Sequence, residues 1–150
     1  MHIEIGGGTL VPDGAINIDP VHGTGAWKRL AQTVPWPLFM GSVGTVRASH
    51  VMEHIPAGQE RIDVFNEVHR VLVPGGTFEV VVPLVVSNEP GPLAWQAIAD
   101  PTHVSFWVPE SFKYFDGSIK ANAEYGISLW ETVSFTIEDG WEGHWIGRKP

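Results

Sequence analysis

The chain has 150 residues, 43% of them hydrophobic, and a formal net charge of −8. That length suits one domain with a full core. The acidic balance, with nine Lys and Arg in all, argues against a broad nucleic-acid or membrane-binding surface. No cysteine is present, so there is neither a disulfide framework nor a thiolate metal site. Met1-His2-Ile3-Glu4 carries no secretory signal pattern and no apolar run reaches membrane-spanning length, so the expected location is the cytoplasm.

Ile3 to Ile5 reads as a strand, closed by Gly6-Gly7-Gly8, where glycine allows a tight turn and a close backbone approach. Ala15 to Asp19 is a second strand, stopped by Pro20. So short a connection between them has room only for a bare loop or a single turn, since a parallel crossover usually takes a dozen residues or more. Gly25 to Ala31 reads as a short helix. Val34-Pro35-Trp36-Pro37-Leu38 cannot be a central strand, because two prolines remove ladder donors. Val43 to Ser49 is a strand leading into His50-Val51-Met52-Glu53-His54.

Gln59 to Val73 is the strongest helix, with Arg61, Phe65, Val68 and Leu72 on one stripe and Pro74-Gly75-Gly76 as its stop. Thr77 to Val82 then reads as a strand buried on both faces. Leu93 to Ala99 and Pro109 to Phe115 are short helices. Ile127 to Glu138 and Glu142 to Arg148 form a closing hairpin around Asp139-Gly140. This order indicates an α/β fold with a mostly parallel sheet and an antiparallel edge.

Ligands of open α/β sheets sit beyond the carboxyl ends of the strands, and the polar residues of this chain gather there. The glycine turn can bring backbone N–H groups to a ligand, or be plain loop geometry. It is not a phosphate loop, because no Gly-Lys-Ser/Thr follows, nor the full dinucleotide fingerprint, because position 11 is Val. Asp19 can accept hydrogen bonds from ribose hydroxyls, or start a turn with Pro20. Ser49, His50, Glu53 and His54 follow the third strand. His50 with His54, and Asp100 with His103, have spacings seen in metal sites. The His-Glu-x-x-His order is absent, however, and no metal is assigned. His103 suits a general base near neutral pH, or holds its loop. The aromatics Phe106, Trp107, Phe112, Tyr114 and Phe115 read as core rather than as a substrate cage.

Together these segments resemble class I S-adenosylmethionine-dependent methyltransferases, and within them the small type-11-like group. Glu4-Ile5-Gly6-Gly7-Gly8 is similar to the family's first motif, and Ala15 to Asp19 to its second strand. Pro35-Trp36-Pro37-Leu38 followed by Ser49-His50-Val51-Met52-Glu53-His54-Ile55 resembles its Pro-Phe/Trp-Pro and Ser-His-Val-Leu-Glu-His run. Arg70-Val71-Leu72-Val73-Pro74-Gly75-Gly76 is close to its Arg-Val-Leu-Lys-Pro-Gly-Gly element. The resemblance runs in order from about Ile3 to Phe115, and Asp100 to His103 with Pro109 to Phe112 also fits.

The resemblance implies a Rossmann-like sheet with an antiparallel final strand, and S-adenosyl-L-methionine as cofactor. Glu4, Gly6, Gly7 and Gly8 would pass its methionine part, Asp19 its ribose, and Ser49 and His50 the pocket wall. The acidic residue expected near adenine is missing, which leaves that contact to Ala31 and Gln32. Val73 replaces the motif's Lys, and the N-terminus is abbreviated relative to the family. A minimal or oligomer-completed enzyme follows, with a decayed, non-catalytic binding domain as the alternative and a nicotinamide-dependent oxidoreductase disfavoured by the missing third glycine. His103 and His50 are the candidate bases for an acceptor that is a small molecule, a sugar or a protein. No Asn-Pro-Pro-Tyr signature points to DNA bases. Residues 85–107, with Asn88-Glu89-Pro90-Gly91-Pro92 as loop and Trp95 and Trp107 as apolar cover, are the expected lid.

Overall fold

The computed structural model describes residues 1–85 and 95–150. Among these residues the chain forms β1 (His2–Ile5), β2 (Ile16–Ile18), β3 (Val43–Ser49), α1 (Gln59–Val71), β4 (Leu72–Pro83), α2 (Trp95–Ile98), β5 (Glu131–Glu138) and β6 (Glu142–Arg148), with 3-10 turns at Gly25–Trp27, Met52–His54, Pro109–Tyr114 and Lys120–Asn122. The strands make one six-stranded sheet in the order β2-β1-β3-β4-β6-β5. Strands β1 to β4 are parallel. Strand β6 runs antiparallel to β4 and β5, so the closing hairpin supplies the antiparallel edge. This is the Rossmann-like architecture expected. The β1–β2 connection is a bare loop, as its length requires.

Strand alternation gives the sheet two unlike faces. On one, Ile3 stands beside Ile16 and Val46, Val46 beside Phe78, and Ala48 beside Val80, which faces Trp145. Helix α1 packs here through Val64, Phe65, Val68 and Val71, all fully buried. Phe65 stacks on Phe115 with ring centroids 3.7 Å apart and meets Phe78 edge-on at 5.2 Å. Trp107, Phe112 and Trp130 complete this aromatic core.

On the other face, Asn17, Glu4, Arg47 and Glu79 stand in one row across four strands. Arg47 lies between the two carboxylates, 3.9 Å from Glu4 and 3.4 Å from Glu79. The Arg47 side chain is 41% exposed and that of Glu79 37%. Strand β4 is therefore open to water at Glu79, which corrects the expectation of burial on both faces.

Other boundaries differ for local reasons. Helix α1 ends at Val71 rather than Val73, because Pro74 disfavours helical backbone at the residue before it and Leu72 is already extended. The helix expected over 25–31 is the single turn Gly25–Trp27, since the Trp27 carbonyl is taken by Asp19 and Arg29 N–H groups. Residues 127–130 are not strand: Ile127 N–H bonds to Asn122 and Trp130 N–H to Phe115. Of the helix expected over 93–99, the described part is Trp95–Ile98. Asp139 and Gly140 both take positive φ, 49° and 74°, at the centre of a turn closed by Trp141 N–H on the Glu138 carbonyl, with Glu138 paired to Glu142 beyond it.

Candidate active site

The carboxyl ends of β1, β2 and β3 converge on a cleft of about 130 Å³, lined by Gly6, Ile18, Pro20, Leu30, Ala31, Gln32, Val51, His54 and Ile55. Gly6 has φ 63°, and a Cβ there would drive into the Val51 side chain. Glycine thus keeps the cleft open as well as turning the chain. Gly6, Ala31 and Gln32 of the expected set line this cleft.

The glycine turn is tied to β2. Gly6 N–H donates to the Ile18 carbonyl at 2.8 Å, Gly7 N–H to Asn17 Oδ1 at 3.1 Å, and Gly8 N–H to Asp19 Oδ2 at 3.2 Å. Asn17 returns a bond from Nδ2 to the Gly8 carbonyl at 3.0 Å. All three amides expected to cradle a ligand therefore have protein partners. Asp19 Oδ1 also accepts the N–H groups of Val21 (2.7 Å) and His22 (2.8 Å). Burial pushes the Asp19 carboxyl up, but the N–H groups of His22, Val21 and Gly8 outweigh it and hold it below the usual value. Asp19 organises its turn, and Oδ2, with one bond, retains a lone pair. Glu4 faces the polar side of the sheet, 2.8 Å from His2 Nε2. Ser49 stays on the same side, opposite Val81.

A second cleft, about 480 Å³, is lined by His50, Pro83, Trp95, Gln96, Ala99, Asp100, Pro101, His103 and Trp141. Both proposed bases, His50 and His103, border it. His50 takes φ 54°, rare for a residue with a side chain. It is clamped by Glu142, 2.7 Å from Nε2, and Glu53, 3.4 Å from Nδ1. The Glu53 bond, helped by Glu142, raises its pKa above the ordinary histidine value despite burial. The His103 Nδ1 lies 2.9 Å from the Ala97 carbonyl, so this nitrogen carries the proton and Nε2 the lone pair.

The two clefts meet at His54 and His103, whose rings sit edge to face with centroids 4.9 Å apart. The structure adds Asn17, Trp141 and Glu142 to the residues read from sequence, and His54, already placed at the strand end, lines the smaller cleft. Asn17 was findable, because it alternates with Asp19 on β2. Trp141 and Glu142 approach across the fold and leave no local signal. Trp107 is fully buried against Phe112 and under Arg61, so it is core and not cover. Trp95, 57% exposed, does line the second cleft. Of the expected core aromatics, Phe106 and Tyr114 are exposed. Residues 86–94 of the expected lid, Asn88 to Pro92 included, lie outside the described residues. A larger trough of about 670 Å³ runs along 8–17 with His22, Thr24 and Trp27, away from the ends of β3 and β4.

No protein-family model and no curated protein matches the sequence. Solved structures do match the fold. A SAM-dependent methyltransferase from Thermotoga maritima superposes with TM-score 0.64 at 15% identity, over 99% of this chain and 82% of the other. The YcgJ protein of Bacillus subtilis gives 0.62 at 12% identity, over 99% and 91%. A methyltransferase of Haloferax volcanii, solved in complex with the Trm112 methyltransferase activator, gives 0.61 at 13%, over 99% and 82%. The chain therefore has the class I methyltransferase fold. Among the described residues no helix is long and apolar enough to cross a membrane.

Proposed function

We propose that the chain binds S-adenosyl-L-methionine and transfers its methyl group to an acceptor in the neighbouring cleft. The observation that carries this reading is the pair of adjoining clefts at the strand ends of a methyltransferase fold. The smaller is built around Gly6, Ala31 and Gln32, and the larger is bordered by histidines. At about 130 Å³ the smaller cleft suits one flat part of a ligand. The two together fall within the ~300–1,000 Å³ of small-molecule sites.

The residues fit the cofactor. Ile5, Ile18, Val51 and Ile55 offer apolar surface for a purine, and Gln32 offers an amide as hydrogen-bond donor and acceptor. Asp19 Oδ2 offers a lone pair to a ribose hydroxyl. The glycine turn supplies carbonyls and close approach rather than free amides. When bound, the cofactor supplies an activated methyl group on a sulfonium. The protein's own part is to hold an acceptor in line with it and exclude water. Where the acceptor's nucleophile carries a proton, His103 Nε2 is the better-prepared base, because its Nδ1–H is fixed on Ala97. His50, held toward its cation with both ring nitrogens engaged by Glu53 and Glu142, is the less available base. The acceptor is a small molecule, a sugar or a protein. A second subunit is one way to cover the clefts.

The test is thermal unfolding with S-adenosylhomocysteine and with NAD. Ligand at 100 times its dissociation constant adds about 2.7 kcal/mol of stability, so the expected result is a rise in Tm with S-adenosylhomocysteine alone. An unchanged Tm at millimolar ligand rejects the reading. S-Adenosylhomocysteine release across an acceptor library then separates an enzyme from a binding domain.

A further inference from the structure

The sequence presents His50/His54 and Asp100/His103 as separate pairs. The fold draws one member from each together with Glu53. Ligand-capable atoms of Glu53, His54 and His103 all lie within 4.8 Å of one another. We propose that these three residues form a binding site for a divalent transition-metal ion, at the junction of the two clefts.

Two independent features single this cluster out. The first is the tautomer of both histidines. His54 Nδ1 lies 3.1 Å from the Thr102 carbonyl, and His103 Nδ1 2.9 Å from the Ala97 carbonyl. A carbonyl only accepts, so in the neutral ring each Nδ1 carries the proton and each Nε2 keeps its lone pair. Metal-bound histidines are held this way, donating the other ring N–H to a carbonyl or carboxylate.

The second feature is Glu53, which is 1% exposed. One carboxylate oxygen, Oε1, faces His50, while Oε2 is buried without a hydrogen-bond partner among the described residues. A buried, unpartnered carboxylate oxygen is costly, and a bound cation removes that cost.

The cluster is also held in place by backbone. Val104 and Ser105 N–H groups donate to the Glu53 carbonyl at 2.9 and 3.1 Å, and Ser105 Oγ to the Met52 carbonyl at 3.0 Å. These bonds fasten the loop carrying His103 to the turn carrying Glu53 and His54. Asp100 Oδ2, 3.8 Å from His103 Nε2, stands near enough to hold a water at the fourth position.

Two imidazoles and a carboxylate match zinc and related first-row ions rather than the all-oxygen shells of calcium or magnesium. Zn–N and Zn–O bonds of ~2.0–2.2 Å at the tetrahedral angle put ligand atoms about 3.3–3.6 Å apart, so rotamer changes that draw the three side chains inward close the site. Such an ion takes His103 out of proton transfer. It offers the acceptor an open coordination position and lowers the pKa of an oxygen bound there. Metal binding itself does not depend on the methyltransferase reading.

The experiment is calorimetric titration of chelator-treated protein with Zn²⁺. The expected result is one equivalent bound, weakened at least about tenfold in both His54→Gln and His103→Gln, the scale on which lost metal support acts. His144→Gln probes the competing cluster Glu138, Glu142 and His144 on the hairpin. It should leave Zn²⁺ binding unchanged. Absence of binding, or binding lost in His144→Gln and kept in the other two, overturns the proposal. Carbethoxylation of the wild-type histidines, read by mass spectrometry, needs no variant. Zn²⁺ should protect His54 and His103 and leave His22 reactive, and equal labelling with and without Zn²⁺ rejects the site. Zn²⁺ binding without any S-adenosylhomocysteine binding would keep this inference and remove the methyltransferase reading.

Discussion

The two faces of the sheet do opposite work. The face under α1 is closed by Phe65, Phe78, Trp107 and Trp145, all fully buried, so stability concentrates there. The other face is a charged row, Glu4–Arg47–Glu79, open to water at Arg47 and Glu79 and buried at Glu4. This fold is held mainly from one side, while the strand ends between the faces carry the polar groups of the candidate site. Substitutions of similar size should therefore differ severalfold in cost according to the face they touch.

The largest effect is expected at Phe65. Truncation to Ala removes the ring stacked on Phe115 and set edge-on to Phe78, and a buried Phe→Ala change costs about 3–5 kcal/mol. Urea unfolding should show that loss, and a loss under 1 kcal/mol would mean that the core collapses to refill the space.

Asp19→Ala comes next. Read from sequence, Asp19 either accepts hydrogen bonds from ribose hydroxyls or starts a turn with Pro20. The structure adds three backbone N–H groups, of Gly8, Val21 and His22, that lose their acceptor. Such a loss resembles removing a helix cap and is worth about 0.5–2 kcal/mol. Because the folded pKa of Asp19 is lowered from 3.8, its contribution is full above that value and fades as pH falls through the folded pKa. Acid titration of stability should show this fade in the wild type and not in Asp19→Asn.

Arg47→Ala, on the open face, should cost no more than about 1 kcal/mol, as exposed ion pairs do. A loss near that of Phe65→Ala would show that the polar row is a second core, and the contrast between the faces would fail.

The smallest effect is at His69 on α1, where burial, with help from Lys149, lowers the imidazole pKa below 6.5. The unfolded chain then binds the proton more readily. Its contribution is present above about pH 6.5 and is lost as pH falls toward the folded value. His69→Gln should flatten the stability profile in that window, and an identical slope in the variant would place the dependence on another group.

Much of this architecture was legible in local sequence. Val43–Ser49 and the start of α1 at Gln59 follow from apolar periodicity, and the β5–β6 turn from Asp139-Gly140. The candidate site was legible only in pieces. Gly6, Ala31, Gln32, His50 and His103 do border the clefts. The partners of Gly6, Gly7 and Gly8 lie about ten residues away on β2, and the meeting of His54 with His103 spans 49 positions through the Ser105–Glu53 stitching. Contacts of that separation depend on how the loops after β3 and β4 close over the sheet, which no local pattern encodes.

Whether the strand-end clefts hold S-adenosylmethionine is read by calorimetric titration of S-adenosylhomocysteine into wild type and Gly6→Ala. The Cβ added at Gly6 meets Val51 on the wall of the smaller cleft. One equivalent should bind to the wild type, and binding should be much weaker in a folded Gly6→Ala. No binding by the wild type at millimolar ligand, or equal affinity in the two proteins, would contradict cofactor binding there.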